Sequence, residues 1–323
     1  MAEMRIAVVG AGIAGLACAD ALVAAGHKVV CFDKGRGPGG RMSTRRAESD
    51  GRSLQFDHGA QYFTVRDTEF VDQVRRWEAV GVAVRWLEAG DDAWVGTPGM
   101  NAPVRALAEH RSVHWGTRIE ALRRGEGGWV AVGSGDPGAF DAAIVAVPAE
   151  QAGSLLAPHR QDFADLAAGT PSQPSWTAMA AFSQRLSTEQ DIVRDRGALG
   201  WATRDSAKPG RGGLENWVIQ ASADWSAQHL EQPPETVATV LLGLLASELG
   251  FPLPAPVYLH AHRWRFARSG RSGEPTALWD ASIQLGACGD WLAAPRVEAA
   301  WLSGRRAAAL IGEAVKVNGS EGR

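Results

Sequence analysis

Three glycines near the N-terminus have the spacing G-x-G-x-x-G, with a strand-like run before them and a helix-like run after them. Gly10, Gly12 and Gly15 stand in "GAGIAG", between "RIAVV" and "IAGLACADALVAAGH". In that setting Gly10 forms a tight turn, Gly12 admits a phosphate to the backbone, and Gly15 lets helix and strand pack closely. Free amides and the positive dipole end of the helix then stabilise the phosphate. The motif predicts a dinucleotide-type site.

Asp33 ends the next apolar run, "KVVCFD", at about the twenty-residue distance at which such folds place a ribose-binding acid. Its carboxylate is expected to accept hydrogen bonds from an adenosine ribose and to disfavour a phosphorylated ribose. Strand, helix and strand together make a βαβ unit. The alternative is a glycine-rich turn followed by a surface aspartate.

A basic, glycine-rich stretch follows this acid directly. "CFDKGRGPGGRMSTRR" (Cys31–Arg46) places four glycines and five cations within the fourteen residues from Asp33 onward. Its backbone amides and Arg41 are expected to bind the far side of the same diphosphate, because a guanidinium forms paired hydrogen bonds with phosphate oxygens. A solvated basic loop is the alternative for this stretch taken alone.

Composition excludes several classes of protein. A length of 323 residues suits two domains or one large one. A formal net charge of −3 gives no electrostatic reason to expect nucleic-acid binding. Three dispersed cysteines argue against a disulfide framework or a zinc site and fit a reducing cytoplasm. Asp20 interrupts the apolar N-terminal run, so we expect a soluble, unprocessed protein without a membrane segment or a metal site.

The rest of the chain contains further recognisable elements. Short strands are predicted across Thr117–Pro148, and a long helix in "PETVATVLLGLLASELG". "SIQLGACGDWL" reads as a strand, and a helix is predicted from Arg296 to Val315. The apolar stripe of that last helix comprises Val297, Ala300, Trp301, Ala308 and Ile311. The stripe predicted for the first helix comprises Leu16, Ala19, Leu22 and Val23.

Together with "FDHGAQYFT" (Phe56–Thr64), the basic stretch resembles the renalase group of FAD-dependent, amine-oxidase-like flavoproteins, particularly its bacterial members. "WVGTPGMNA", "NWVIQASADWS", "HRWRFA" and "GACGDWL" resemble later blocks of that group. The resemblance implies an α/β protein: a Rossmann-type FAD-binding domain of the amine oxidase/p-hydroxybenzoate hydroxylase kind, and a substrate domain built on an antiparallel sheet plus helices. The implied FAD-binding segments are 1–66, 102–152 and 275–323, and the substrate segments are 67–101 and 153–274.

Site residues carry over from the resemblance position by position. FAD is expected to be held non-covalently, because Cys288 does not match the motif for covalent flavin attachment. The residues expected to bind FAD are Gly10, Ala11, Gly12, Ile13, Ala14, Gly15, Asp33, Lys34, Gly40, Arg41, Met42, Gly59, Ala60, Ile119, Gly289, Asp290, Val297, Glu298 and Ala300. For Asp290, a helix N-cap is the alternative role. The residues expected to face substrate are His58, Gln61, Tyr62, Thr97, Asn101, Trp264 and Arg296.

The implied activity is oxidation of dihydronicotinamide isomers that carry the hydride at ring carbon 2 or 6, giving NAD(P)⁺ and, from O2, hydrogen peroxide. No side chain is assigned a catalytic role, since the chain shows no nucleophile elbow, metal cluster or clear acid/base pair. His58 as a general base is an alternative to a purely structural histidine. Two other functions stay open: a flavin amine oxidase, and a non-catalytic FAD- or NAD-binding protein.

Overall fold

The computed structural model describes residues 3–133, 135, 138–271 and 273–320, with side chains described up to residue 314. Its helices are α1 Ile13–Ala24, α2 Thr68–Ala79, α3 Ala102–Ala108, α4 Ala149–Leu156, α5 Gln161–Ala168, α6 Ala223–Gln228, α7 Pro234–Leu249 and α8 Val297–Ser320. Its strands are β1 Arg5–Val9, β2 Lys28–Asp33, β3 Arg45–Ser49, β4 Arg52–Phe56, β5 Phe63–Thr64, β6 Ala83–Arg85, β7 Ala93–Gly96, β8 Ser112–Trp115, β9 Ala121–Gly125, β10 Gly128–Val132, β11 Ala139–Phe140, β12 Ala142–Val145, β13 Gln173–Phe182, β14 Ile192–Arg196, β15 Leu199–Arg204, β16 Glu215–Ala221, β17 Tyr258–Arg268, β18 Leu278–Asp280 and β19 Leu285–Ala287.

The chain divides into two units, each made from separate segments. The first unit comprises Met1–Gly40, Val104–Ser172 and Arg268–Arg323. The second comprises Arg41–Pro103 and Gln173–Ala267. Positions 134, 136 and 137, which belong to the predicted strand region Thr117–Pro148, lie outside the described residues.

A six-stranded sheet forms the centre of the first unit, in the order β18-β19-β12-β1-β2-β8. All neighbours in it run parallel except β18, which is antiparallel to β19. β1 and β12 are almost wholly apolar and buried, which is the pattern of parallel strands covered on both faces. The carboxyl ends of the five parallel strands therefore lie at one edge of the sheet.

Helices α1 and α8 pack closely in the first unit. A Cβ atom added at Gly304 would lie 2.1 Å from the carbonyl oxygen of Ala14, so only glycine permits this approach. The predicted stripe of α1 is correct at Leu16, Ala19 and Leu22, which are buried, and wrong at Val23, which is 37% exposed. Because α1 is composed mainly of small apolar residues, spacing alone could not fix the edge of its buried face.

The second unit is built on a five-stranded sheet in the order β14-β15-β16-β13-β17. Its four strands β14, β15, β16 and β13 pair antiparallel. Alternate residues of β13 face opposite sides: Ala178 and Ala180 enter a core with α7, while Met179 and Ala181 pack with Leu54. The sheet is therefore covered on both faces.

The predicted segments differ from these units mainly over residues 41–66 and 153–172, with smaller differences at 102–103 and 268–274. Residues 41–66 were expected with the FAD-binding segments, but Leu54 and Phe56 of the β3–β4 hairpin pack on the sheet of the second unit. Residues 153–172 were expected in the substrate segments, but Leu155 and Phe163 of α4 and α5 lie in the core of the first unit. In each case an amphipathic element showed that one face is buried without showing which sheet buries it.

The long predicted helix is α7, which begins after Pro233 and ends at Gly250 in the left-handed conformation, φ 79°. The last helix begins at Val297 and runs further than predicted, to Ser320. Among the described residues, no helix has the length and apolar character needed to cross a bilayer. Cys18, Cys31 and Cys288 are buried free thiols.

Candidate functional site

The predicted glycine loop lies at the carboxyl edge of the first unit's sheet, between β1 and α1. A Cβ atom at Gly10 would lie 2.3 Å from the carbonyl oxygen of Ala146, and one at Gly15 would lie 1.9 Å from the carbonyl oxygen of Gly10. Both glycines are thus required for strand and helix to meet. Gly12 differs, because nothing lies within 4 Å of the position its Cβ would take. Open space beside that backbone is what a diphosphate needs.

The second glycine-rich loop returns to the first. Gly40 has φ 53°, and a Cβ atom added there would lie 3.7 Å from the Cα atom of Gly12. Two glycine-rich stretches therefore border the same open space. The first turn of α1 contains no acidic residue, and its N-cap residue, Gly12, has no side chain that could cap the helix amides. The helix amides there remain available to an anion.

Asp33 is held in place at the end of β2 by two main-chain amides. Its Oδ2 accepts a hydrogen bond from Ala11 N at 2.7 Å, and its Oδ1 accepts one from Gly35 N at 2.7 Å. Each carboxylate oxygen keeps a second lone pair for a ribose hydroxyl. The main-chain carbonyl oxygen of Asp33 accepts a hydrogen bond from Thr117 N, which brings the loop containing Ile119 to the same edge of the sheet. The neighbouring Lys34 donates to Gln151 Oε1 at 3.2 Å.

The other predicted residues of the first unit follow β19. Gly289 N donates to Ser303 Oγ of α8 at 2.9 Å, and Ser303 Oγ donates to the carbonyl oxygen of Thr276 at 2.6 Å. Asp290 is buried and opens a short 3-10 turn, so it is not the N-cap of α8. The first turn of α8 contains the last three predicted FAD residues, half-buried Val297 and buried Glu298 and Ala300. Arg296, expected to face substrate, is exposed.

In the second unit, residues Asp57–Gln61 form a loop, here called the 57–61 loop, whose carbonyl groups are all engaged up to Gly59. Gln61 Nε2 donates to the carbonyl oxygens of Asp57 at 2.6 Å and of Gly59 at 3.0 Å. Trp264 Nε1 donates to that of His58 at 2.9 Å, and Gln220 Nε2 donates to that of Gly59 at 2.8 Å. This bonding fixes the loop conformation.

The main chain of Arg41 packs against the 57–61 loop. Ala60 N donates to the carbonyl oxygen of Arg41 at 2.9 Å. A Cβ atom added at Gly59 would lie 2.1 Å from that same oxygen. Gly59 is therefore needed for this contact with the main chain of Arg41. Met42, the next residue, is buried.

Four charged side chains form a buried cluster beneath the loop. Asp57 Oδ2 accepts from Arg211 Nη2 at 2.5 Å and lies 3.6 Å from Lys208 Nζ. Lys208 Nζ lies 2.7 Å from Asp205 Oδ1 and donates to Gln61 Oε1 at 3.0 Å. Burial acts to raise the pKa of Asp57, but the charges of Lys208 and Arg211 outweigh it and hold that pKa below its ordinary value. Burial raises the pKa of Asp205 against the opposing charge of Lys208.

His58 belongs to an aromatic cluster with two residues of β17. Its ring centroid lies 5.0 Å from those of His262 and Trp264, which are 4.6 Å apart. Burial, then the neighbouring His262 and the charge of Arg45, lower the pKa of His58 to about 3. Burial and Arg45 lower the pKa of His262 to about 4. Both imidazoles are thus neutral at neutral pH.

The remaining predicted substrate residues also belong to the second unit. Tyr62 stacks at an angle on Trp201, with ring centroids 5.4 Å apart. The hydroxyl of Thr97 is buried without a hydrogen-bond partner. Asn101 N donates to Thr44 Oγ1 at 3.3 Å. Sequence reasoning missed Lys208, Arg211 and Asp205, which stand in the turn-like stretch "DSAKPGRGG". The only sequence signal was a lysine beside proline and glycine.

The profile of one family, described as flavin containing amine oxidoreductase, matches residues 84–312, well over half of the chain. The chain belongs to this family. A second profile, described as an NAD(P)-binding Rossmann-like domain, matches residues 8–76. The fold class and the FAD cofactor predicted from the sequence are thereby confirmed. The glycine cradle and the oriented Asp33 described above fit that cofactor.

Curated relatives of this flavin amine oxidoreductase match over short stretches. The L-amino-acid oxidase of Pseudechis australis is 49% identical over 91 residues, covering 28% of this chain and 17% of that protein. The 4,4'-diapophytoene desaturase (4,4'-diaponeurosporene-forming) of Staphylococcus haemolyticus (strain JCSC1435) is 48% identical over 64 residues, covering 20% of this chain and 12% of that protein. The chain thus spans less than a fifth of the length of these relatives.

Solved structures of the family match over nearly the whole chain. Cyclohexylamine oxidase from Brevibacterium oxydans IH-35A superposes with a TM-score of 0.71 at 14% identity, covering 98% of this chain and 100% of that one. A wild-type putrescine oxidase bound to putrescine superposes with a TM-score of 0.66 at 14% identity, covering 96% and 99%. At such identities the likeness shows the fold alone.

Proposed function

We propose that this flavin amine oxidoreductase is an FAD-dependent oxidase of misreduced NAD(P)H isomers, those with the added hydride at ring carbon 2 or 6. One dihydronicotinamide, one O2 and one proton give one NAD(P)⁺ and one hydrogen peroxide. The resemblance of the 33–64 region to the renalase group supports this assignment. The metabolic role would be repair, since such isomers resemble the normal cofactor of many dehydrogenases.

The observation that carries the proposal is the environment of His58. A dihydropyridine becomes an aromatic cation simply by losing hydride, so no proton has to be removed from it. Buried His58, with a pKa near 3, is neutral and a weak base at neutral pH. Asp57 accepts hydrogen bonds from Arg211, Thr44 and the amide of Met100, so it too is engaged. These groups suit a reaction without a base.

FAD, when bound, supplies acceptance of the hydride and transfer of two electrons to O2. The chain's own part is to bind and orient the ring. The neutral faces of His58, His262 and Trp264 offer flat contact surface. The hydrogen-bonded 57–61 loop keeps this arrangement rigid.

An amine oxidase is the second candidate, and buried Lys208 favours it. An amine must lose its ammonium proton before it can donate a hydride. Lys208 is fully buried and is linked through Gln61 to the 57–61 loop. Its Nζ atom lies 2.7 Å from Asp205 Oδ1 and 3.6 Å from Asp57 Oδ2, so it is already engaged within the buried cluster. The proposal above is therefore preferred.

Anaerobic stopped-flow bleaching of the flavin tests the two candidates. Wild type and His58→Ala are mixed with 2- and 6-dihydronicotinamide isomers and with a panel of amines, across about pH 6–9, which brackets the ordinary histidine pKa. We expect bleaching by the isomers that is nearly independent of pH and changes less than about tenfold in His58→Ala, whereas a positioned base contributes about 10²–10⁴-fold.

Other results would overturn the proposal in distinct ways. Bleaching by amines alone would favour the amine oxidase. A loss of about a hundredfold in His58→Ala with FAD still bound would make His58 a base. Protein that binds FAD but is bleached by no compound of either class would indicate a non-catalytic binding protein.

A further inference from the structure

Two strand elements of the second unit bring a cation and three imidazoles together. Arg45 on β3 pairs directly with Phe56 on β4, so their side chains share a face. Phe56 stacks on Tyr258 of β17, with ring centroids 5.3 Å apart. Tyr258, His260 and His262 alternate along β17 and therefore also share a face. The stack thus places Arg45 on the same side as the two histidines.

A second contact fixes this arrangement. Ser49 Oγ, at the end of β3, donates to the carbonyl oxygen of Val257 at 2.8 Å, just before β17 begins. The charge of Arg45 is close enough to lower the pKa of His58, His260 and His262, in each case after burial, which is the larger cause. Electrostatics and strand geometry therefore agree on the position of Arg45.

Arg45 lacks a counter-ion within the part of the chain that the structure describes. Its guanidinium, although half-buried, forms no ion pair and no hydrogen bond there. Arg263 and Arg265 alternate with the histidines on β17. They differ from Arg45 because both form ion pairs with Glu231. Two carboxylates act on these histidines from other elements: Asp57, already bound by Arg211, raises the pKa of His58, and exposed Glu235 raises that of His260.

His58 supplies an independent sign of a missing ligand. It is only 6% exposed, and its Nδ1 atom is buried without a hydrogen-bond partner of good geometry, although the main chain of Ser43 lies close enough to raise the pKa of the ring. An unsatisfied buried polar atom is unfavourable unless a ligand satisfies it. Among the described residues no group of histidines, cysteines and carboxylates is arranged to hold a metal ion. A cation with imidazole N–H donors around it suits an oxyanion instead.

We propose that Arg45, His260 and His262, with His58 behind them, bind an oxyanion, and that this oxyanion is a phosphate of the dinucleotide substrate. The second half of the statement rests on the proposed function. Three donors from two strands suit a diphosphate, whose two phosphorus atoms carry four non-bridging oxygens between them, whereas a carboxylate offers only two oxygens. The nicotinamide ring alone would then account for only part of substrate recognition.

Binding of inorganic pyrophosphate tests the anion site without any reaction. Isothermal titration calorimetry of the FAD-loaded protein measures this Kd directly. Arg45→Gln should raise the Kd for pyrophosphate about ten- to a hundredfold, which is the range expected when a hydrogen bond to a charged group is lost. Arg46→Gln is the matched control: Arg46 is exposed, points to the opposite face of β3 and should change the Kd less than about twofold.

Two further variants protect the test against misfolding. Arg45→Lys keeps the charge and should retain most of the affinity, and His260→Asn should lose several-fold, each with FAD retained as the check of folding. Equal affinity in wild type and Arg45→Gln would overturn the proposal. So would equal losses in Arg45→Gln and Arg46→Gln, because they would indicate general surface charge.

A kinetic comparison separates the site from the proposed function. Arg45→Gln should raise the apparent Kd for flavin bleaching by the dinucleotide isomer about ten- to a hundredfold, with its limiting rate unchanged. The corresponding riboside isomer, which has no phosphate, should be unaffected. Equal effects on both substrates would refute phosphate recognition while leaving the oxidase assignment intact. Bleaching by neither isomer, with Arg45-dependent pyrophosphate binding, would refute the oxidase assignment and leave the anion site standing.

Discussion

Replacing His58 by asparagine should make the protein less sensitive to acid. In the folded state burial lowers the pKa of His58 to about 3, whereas its ordinary value is 6.5. Between these two values the unfolded chain binds the proton and the folded chain does not. The free energy of unfolding of the wild type is therefore at its full value above the unfolded pKa and decreases as pH falls toward 3. Asparagine does not bind a proton in this pH range, so the free energy of unfolding of the variant does not decrease for this reason.

The size of the effect follows from the two pKa values. From about pH 7.5 to about pH 5, protonation of the unfolded imidazole should reduce the free energy of unfolding by about 2 kcal/mol, with almost no offset from the folded state. The other interactions of residue 58 are retained, because Trp264 donates to its main-chain oxygen, which every side chain provides. Any constant destabilisation by the substitution cancels when the two pH values are compared.

Urea unfolding followed by tryptophan fluorescence, at fixed FAD concentration, measures this difference. Wild type should lose about 2 kcal/mol more than His58→Asn between the two pH values. His110→Asn serves as the control for loss of an imidazole, since His110 is exposed. If wild type and His58→Asn lose the same free energy within about 0.5 kcal/mol, His58 is not buried as a neutral ring and the reasoning fails.

Three further outcomes are expected. Acid or heat denaturation should release intact FAD, because Cys288 is a buried free thiol without the covalent motif; flavin that stays on the precipitated chain would contradict this. Arg41→Ala should weaken FAD binding to the apoprotein by about 1.5–3 kcal/mol if the guanidinium contacts the diphosphate; an unchanged Kd would place it elsewhere. Lys208→Met leaves Asp57 and Asp205 without a shared cation and should destabilise the fold by about 3–5 kcal/mol; urea unfolding measures it, and a loss below about 1 kcal/mol would show that Arg211 suffices.

The cofactor cradle was predictable because its determinants are local. Gly10, Gly12 and Gly15 stand within one strand–turn–helix, and the following strand places Asp33 at a fixed distance. The steric reason for each glycine could be stated before any coordinates. The open space beside Gly12 and the contact limits at Gly10 and Gly15 agree with those roles.

The charge cluster was not predictable, because its members are distant in sequence. Asp57 lies on the loop after β4, whereas Lys208 and Arg211 lie in a turn before β16. A lysine in a proline- and glycine-rich stretch looks like a solvated loop residue. Only tertiary pairing shows that it is fully buried. The same reason applies to the β3–β4 hairpin: Leu54 and Phe56 indicate a buried face, and the identity of the sheet that covers it is a long-range property.

The segmental make-up of the first unit constrains how the protein is made in the cell. β1 pairs with β12, and β12 pairs with β19, so this sheet joins the beginning, middle and end of the chain. A ribosome adds about 5–20 residues per second, and non-local strand pairing is slow. The sheet cannot be completed until Ala287 has left the exit tunnel, after every segment of the second unit. The nascent glycine loop must therefore wait, without its finished scaffold, until β19 has been synthesised.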